Sequence, residues 1–483
     1  MPMSIKNTSM YIFKIILLSV LLLILLQASP AIIISSDALP PLKGRNESGL
    51  PEGVHVIPME RGRLMVEPLE CGATLLAIEI PDAPVCHGMI AVKVGGRYEA
   101  DEYAGISHLL EHLVIRKGKD SASLAKIREA GGSVNAVTDF EMTSYYFTVL
   151  PEFFTDSIAA LADMVLSPGF DEQDLRSERK VVMEELGAHT NDPRLAVLPA
   201  LIRKVFPSSP LTNLVIGNKK SVSRITLQDL YRFHRTYYTP SNLIVAGAGN
   251  INGMDMLVSM RALLSDMEKK EPPLHTFGPP ETALHTLYRK IPVRQSFHIY
   301  GAVVPGINSE SYPAMEMLSV LLGSGVNSRM HRRLVVQDGF TNQLYQYWFS
   351  LSDTGVWAVF ISLNPEDSAQ ARAAAAEEIR RVTAGDYSDR ELQNARDALL
   401  AETLIRLDKP WDLLNFEVEN LAFRGEIATI PEYTAQIREV DRADISQVAR
   451  SFSEENLITI FLEPARGPGR IYITLKYLLT GEL

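Results

Sequence analysis

The sequence has few cysteines and no basic patch, which are the features that thiol-based and nucleic-acid-binding proteins require. Its 483 residues include only two cysteines and no Cys-x-x-Cys pair, so the redox and zinc motifs of that spacing are excluded. The formal net charge is −11, and no basic patch with interleaved aromatic residues is present, so we expect no nucleic-acid partner. A glycine-rich phosphate loop and a nucleophile elbow are also missing. With 46% hydrophobic residues, the chain still has ample material for more than one domain.

The two cysteines, Cys71 and Cys86, flank a predicted β-hairpin whose turn falls at Pro81–Pro84. A turn centred there would pair Cys71 with a residue several positions beyond Cys86. A disulfide needs Cα atoms within about 7 Å of each other, and this register does not bring the two cysteines face to face. We therefore expect two free, buried thiols.

Residues 1–31 differ in kind from the rest of the chain. Two lysines precede the apolar stretch Ile15–Leu26, and small residues follow it at Ala28–Ala31. This order is typical of a secretory signal peptide, and the apolar stretch is short for a membrane span. Because apolar residues resume after Pro30, a retained signal anchor is the alternative. In both cases we expect an exported chain, periplasmic or extracellular, and cleavage would start the mature chain near residue 32.

The run His108–His112 reads His-Leu-Leu-Glu-His. In a helix, His108 and His112 lie one turn apart on the same face, where both imidazoles can reach one zinc ion at about 2.0–2.1 Å. Glu111 would hold its carboxylate near a water rather than bind the metal, which is the position of a general base. The order has the form of the inverted zinc-peptidase motif. Histidines merely satisfied by hydrogen bonds are the alternative for five residues taken alone.

A catalytic zinc needs a third protein ligand, and an acidic segment downstream can supply one. Residues Asp171–Gly187 predict a helix with acidic residues in its first turn, which the helix dipole favours. Glu178 and Glu185 are two turns apart on one face, so both can point at the same place. A solvated acidic helix face is the alternative for these glutamates.

The inverted motif followed by the glutamate pair resembles the family of pitrilysin, insulin-degrading enzyme and the mitochondrial processing peptidase. The resemblance implies that Glu185 is the third ligand and that Glu178 is a carboxylate just outside the ligand set. It also implies that His108, His112 and Glu185 hold one Zn²⁺ per chain, with Glu111 as the catalytic base.

The resemblance extends beyond the ligands. It includes Gly95–Glu99 before the motif, Gly131–Ala136 after it and Tyr237–Leu243 further on. In this family Asn135 and Ala136 would lie on an edge strand to which the substrate is added as a further strand. Strand addition uses main-chain hydrogen bonds, which implies a peptide substrate with a loose sequence preference.

The chain divides into two halves that resemble each other. Residues 267–284 are rich in proline and polar residues and predict a linker between a zinc-binding peptidase domain, 50–266, and a C-terminal domain without a metal site, 285–470. Pro240–Val245 resembles Glu454–Thr459, near the ends of the two halves. We therefore expect an α+β fold of two homologous domains, each an antiparallel sheet with helices packed on one face, which together form a clam-like chamber.

The second half departs from the family pattern. Relatives that work alone or as identical pairs carry there an Arg, and a Tyr seven residues later, that hold the substrate carbonyl. This chain has Val335 and Asn342 at those positions, and neither can stabilise a developing oxyanion. In two-subunit relatives the parts are divided between chains, so we expect a hetero-oligomer with a related subunit that supplies Arg and Tyr. Internal replacement by Arg333 with Tyr345 or Tyr347 is the alternative.

These features together predict an exported zinc-dependent endopeptidase that hydrolyses peptides or unfolded protein segments, as the catalytic subunit of a two-subunit peptidase. The alternative is a non-catalytic scaffold or peptide-binding subunit on the same fold. Membrane contact is expected only if the N-terminal segment is retained.

Overall fold

The computed structural model describes residues 53–119, 122–129, 131–191, 201–202, 205–206, 209–277, 286–291 and 293–465. The predicted signal segment therefore lies outside the described residues. The described chain forms two compact units. One contains residues 53–277 and Asp397–Glu439, and the other contains residues 286–396 and 440–465. In the described part, none of the helices combines the length and the apolar character of a membrane span.

The first unit is built on seven strands in the order β1-β2-β3-β7-β4-β6-β5. They are β1 (His55–Met59), β2 (Gly62–Pro68), β3 (Thr74–Glu79), β4 (Cys86–Val92), β5 (Ser133–Thr138), β6 (Thr143–Val149) and β7 (Leu243–Gly249). Strands β3 and β7 pair in parallel, so the sheet is mixed rather than purely antiparallel as predicted.

The predicted hairpin through Pro81–Pro84 is wrong. Strand β7 lies between β3 and β4, because its buried run of small and branched residues fits the centre of the sheet. The prediction of free thiols is confirmed: Cys86 is buried and Cys71 is half-buried, and neither is in a disulfide.

The second unit repeats the topology of the first with five strands, in the order β10-β11-β9-β12-β8. They are β8 (Thr286–Ile291), β9 (Ser296–Pro305), β10 (Gln343–Ser350), β11 (Thr354–Leu363) and β12 (Ile458–Pro464). The order and the sense of each pairing match the series β5-β6-β4-β7-β3, including one parallel pair, β8 with β12. The predicted α+β architecture of two homologous domains is confirmed.

Helices cover both faces of the first sheet. One face packs against helices from the first half of the chain. These helices are α1 (Ile106–Lys119), α2 (Ala122–Glu129), α3 (Phe154–Leu166), α4 (Glu172–Asn191), α5 (Lys219–Arg224), α6 (Leu227–Tyr237) and α7 (Gly253–Ala262).

The opposite face of this sheet packs against α11 (Pro410–Phe423), which follows the second sheet in the chain. Leu413, Leu414 and Val418 contact apolar strand residues that alternate with those of the first face. The prediction that helices pack on one face only is therefore wrong for this unit. Its strands are apolar on both sides, so both faces are covered. The predicted boundary at residue 285 also leaves out this return, since α12 (Ile430–Glu439) belongs to the first unit as well.

The second unit carries α8 (Tyr312–Leu322), α9 (Ser368–Thr383) and α13 (Arg442–Ala449). The longer α10 (Asp389–Leu407) belongs to it up to Arg396. A helical turn at Arg329–His331 continues into a π-helical stretch, Arg332–Gln337, before β10.

Candidate active site

The helix α1 begins at a tight bend held by a buried carboxylate. Gly105 has a φ of +91°, and a Cβ there would lie 2.7 Å from the carbonyl oxygen of Ile216, so glycine is required. The Glu99 carboxylate accepts hydrogen bonds from the amides of Gly105 (2.6 Å) and Ser107 (2.8 Å). Burial raises the pKa of Glu99 to about 7, against the lowering effect of these bonds. Glu99 thus fixes the start of the helix that carries the inverted motif.

One side of α1 packs in the core and the other carries the motif. Leu109, Leu110, Leu113 and Val114 are buried against the sheet and its neighbouring helices. This leaves His108–His112 with its polar side chains on the half-buried side of the helix. The 3.6-residue period therefore decides which residues can meet α4.

The structure brings the three predicted metal ligands together. Nε2 of His108 and Nε2 of His112 lie 3.8 Å and 3.7 Å from Oε2 of Glu185 on α4. One ligand atom from each of the three residues falls within 4.8 Å of the others. A tetrahedral zinc with ligands at about 2.0–2.2 Å requires such spacing, and two imidazoles with one carboxylate are a catalytic donor set for zinc. These residues therefore fit the metal.

Glu178 lies behind the three candidate ligands. Its Oε2 is 3.2 Å from Nδ1 of His112, the ring nitrogen opposite the one that faces Glu185. Such a contact fixes the tautomer and the ring orientation of a ligand histidine. Arg116, one turn after His112, donates to Glu178 at 2.9 Å and to Asp174 at 3.3 Å. Arg116 was not predicted as a site residue, although its i, i+4 spacing from His112 could have identified it.

Glu111 lies beside the ligand group and not within it. Its Oε2 accepts a hydrogen bond from the hydroxyl of Thr138 at 2.8 Å. Removal from water raises the pKa of this carboxyl, while the neighbouring His112 and the Thr138 bonds act in the opposite direction. Thr138 was also missed, because the contact joins residues 27 positions apart in different elements.

Asn135 and Ala136 lie in β5, which is one of the two edge strands of the first sheet as described. Ala136 is buried on the face that carries α1. Asn135 points to the opposite face, where its side chain bonds Tyr146, whose ring packs on Trp411 of α11 at 4.5 Å. The two residues therefore present different faces of the same strand.

In the second unit, Val335 lies in the π-helical stretch and Asn342 is exposed just before β10. The residues named as internal replacements are placed as follows. Arg333 is paired with Asp338 at 2.7 Å, Tyr345 on β10 is 51% exposed, and Tyr347 lies further along the same strand.

The chain matches known proteins over most of its length. Residues 74–219 match insulinase (peptidase family M16), and residues 224–399 match the peptidase M16 inactive domain. A Bacillus subtilis protein named as the uncharacterized zinc protease YmxG is 24% identical over 384 residues, which cover 77% of this chain and 92% of that protein. A Rickettsia bellii protein, also named as an uncharacterized zinc protease, is 25% identical over 405 residues, with 83% and 97% covered.

Solved structures share the fold. A protease from Helicobacter pylori superimposes with a TM-score of 0.77 at 23% identity, covering 84% of this chain and 100% of that one. A peptidase M16 inactive domain from Pseudomonas fluorescens gives a TM-score of 0.76 at 15% identity, with 84% and 98% covered. The two adjacent domain matches and the inverted motif on α1 lead to one conclusion: the chain belongs to the peptidase M16 (insulinase) family.

Proposed function

We propose that this protein is a zinc-dependent endopeptidase that cuts peptides or unfolded protein segments and acts as the catalytic subunit of a two-subunit peptidase. The observation that supports it is the position of the Glu111 carboxylate, beside the group formed by His108, His112 and Glu185 and not among its ligand atoms. A metal site that served only structure would have no use for a carboxylate held there.

The site residues divide the chemistry between them. A zinc ion held by the two histidines and Glu185 would supply the Lewis acidity that makes a water acidic and a carbonyl electrophilic. Glu111 would take the proton from the attacking water and give it to the leaving amine, and the Thr138 hydroxyl holds its carboxylate in place. Glu178 orients His112 through Nδ1.

The substrate binds as an added strand on β5. Main-chain hydrogen bonds to the edge residues would hold an extended peptide with little regard to its side chains. A folded protein offers few such segments, which supports peptides and unfolded segments as the substrate class. Ala136 lies on the α1 face of this strand, so the peptide there would run beside Glu111.

The second subunit supplies what the second half of this chain lacks. Val335 and Asn342 carry no cation or phenol with which to stabilise an oxyanion, and losing one such donor costs about 10²–10³ in rate. A related chain with Arg and Tyr at these positions and without the zinc motif would complete the site. The apolar N-terminal segment supports export of the complex, with membrane contact only if that segment is retained.

A single set of assays tests this proposal. The chain without residues 1–31 is purified, its zinc content is measured, and cleavage of an unstructured peptide is followed alone and with the related subunit. We expect one zinc per chain, weak cleavage alone and strong cleavage of the mixture. Glu111→Gln is the control that removes the base. Zinc binding without cleavage in the mixture would favour the scaffold alternative, and full activity of the isolated chain would reject the partner.

A further inference from the structure

We infer that Thr138 is the residue that positions the general base, by holding the Glu111 carboxylate at the end of the substrate-binding edge strand. The inference rests on the proposed peptidase function. The Thr138 hydroxyl donates to Oε2 of Glu111 at 2.8 Å, and the Thr138 backbone amide donates to the same carboxylate. One residue thus supplies two donors to one carboxylate, in addition to its place in the sheet.

The pairing of β5 with β6 explains why the amide is available. The amide of Asp139 donates to the carbonyl of Met142 at 2.8 Å, so these two residues form a hydrogen-bonded pair. Such pairs alternate along an antiparallel ladder, so the next pair, Thr138 with Thr143, exchanges no backbone hydrogen bonds. The Thr138 amide therefore points away from β6, toward the open edge, and so does the amide of Ala136.

This geometry sets the register of an added peptide. The outward amide of Ala136 can pair with the peptide backbone, whereas that of Thr138 is taken by Glu111. The last outward amide of β5 that is open to a peptide is therefore that of Ala136, next to the position where the base is held. A rigid link between the edge strand and the base places the carboxylate at a fixed distance from the bound peptide, which is the geometric condition for efficient reaction.

Kinetics of a conservative pair of variants test the role. Thr138→Val removes the hydroxyl and keeps the shape, and hydrogen bonds to charged groups are strong enough that we expect kcat to fall about 10-fold. KM and the zinc content should stay unchanged, because the Thr138 hydroxyl donates to Glu111 and Thr138 is not one of the candidate metal ligands. Thr138→Ser should restore most of kcat. In the Glu111→Gln background, Thr138→Val should add little, because the two residues act as a unit.

Thr143→Val is the matched control. Thr143 faces Thr138 across the same ladder, but its hydroxyl donates to the backbone carbonyl of Val94 at 2.8 Å. This variant should lower stability and leave kcat near that of the wild type. An equal loss of kcat in the Thr143 and Thr138 variants would reduce Thr138 to a structural role, and a Thr138→Val enzyme within twofold of wild-type kcat would overturn the inference.

Residue-resolved hydrogen–deuterium exchange tests the contact without activity. The Thr138 amide should exchange more slowly than the Ala136 amide, and Glu111→Ala should remove this difference. Equal exchange of the two amides in the wild type would overturn the inference. If the protected amide is found but the zinc-loaded mixture of subunits cuts no peptide, the proposed function fails while the contact between Thr138 and Glu111 stands.

Discussion

The two units share a sheet order and differ in the helix that follows the equivalent strand. In the first unit, α1 follows β4 and carries His108, Glu111 and His112 on its half-buried side. In the second, α8 follows β9, and ten of its residues are buried, among them Met315, Met317 and Leu318. One helix has a polar side that can hold a metal, and the other is core on nearly every side. Equal topology therefore does not carry equal chemistry, which lies in the site residues.

The two helices also begin differently. The start of α1 is held by the buried Glu99 carboxylate, which accepts two backbone amides. The residue before α8, Ser311, makes no side-chain capping hydrogen bond, and Pro313 stands in the first turn, where no amide donor is needed. The start of α1 thus depends on a buried carboxylate, whereas α8 begins without a side-chain cap and has ten buried residues.

The largest expected effect distinguishes the proposed general base, Glu111, from the proposed metal ligand Glu185 in the first unit. Glu111→Gln should keep one zinc per chain and lower kcat by about 10²–10⁴, since it removes only the proton acceptor. Zinc content by elemental analysis and peptide cleavage with the partner subunit measure the two effects. Glu185→Gln is the matched variant and should lose zinc. A result in which Glu111→Gln loses zinc and Glu185→Gln keeps it would reverse the assignment.

We expect substitutions in the core of the second unit to change stability and not zinc binding. Leu318→Ala in α8 leaves a cavity at a fully buried side chain, which costs about 2–5 kcal/mol of unfolding free energy. Urea unfolding measures the loss, and zinc content should stay at the wild-type level. Val258→Ala, at a position 54% exposed on α7, is the control and should change little. Loss of zinc in Leu318→Ala would show that the metal site depends on this helix.

The sequence predicted the parts of this comparison that depend on local periodicity. Spacings of four and seven residues placed His108, His112 and Glu185 on the correct helix faces. The false hairpin came from a non-local contact, because β7 enters between β3 and β4 from far along the chain. The Thr138 contact has the same character, since only the sheet brings this residue to α1. Helix α11 follows the second sheet in the chain but packs on the first sheet. Its local sequence pattern does not distinguish it from a helix of the second unit.

Substitution of Glu178 tests how far the contact that orients His112 contributes to zinc affinity. Glu178→Gln should bind zinc about 10–100-fold more weakly, because it weakens the contact that orients His112. Competition with a chelator measures the affinity. Glu184→Gln, exposed on the same helix, is the control and should leave the affinity unchanged. Complete loss of zinc in Glu178→Gln with retention in Glu185→Gln would mean that the two glutamates exchange roles.

The smallest effect concerns the start of α1 and its dependence on pH. Burial raises the pKa of Glu99 to about 7 from an ordinary value of 4.5. Between these values the folded chain keeps a proton that the unfolded chain releases, so the contribution of Glu99 to stability is full below pH 4.5 and is lost as the pH rises through 7. Glu99→Gln cannot ionise and lacks this loss. Its unfolding free energy should therefore rise relative to that of the wild type across this range.

Urea unfolding of the metal-free proteins from pH 4.5 to pH 8 measures this difference without a contribution from zinc binding. Glu102→Gln, at an exposed position three residues further on, is the control and should reproduce the wild-type curve. Parallel curves for Glu99→Gln and the wild type would contradict the prediction. They would mean that the amides of Gly105 and Ser107 offset the burial of the charge, and that α1 begins at a carboxylate that stays ionised throughout this range.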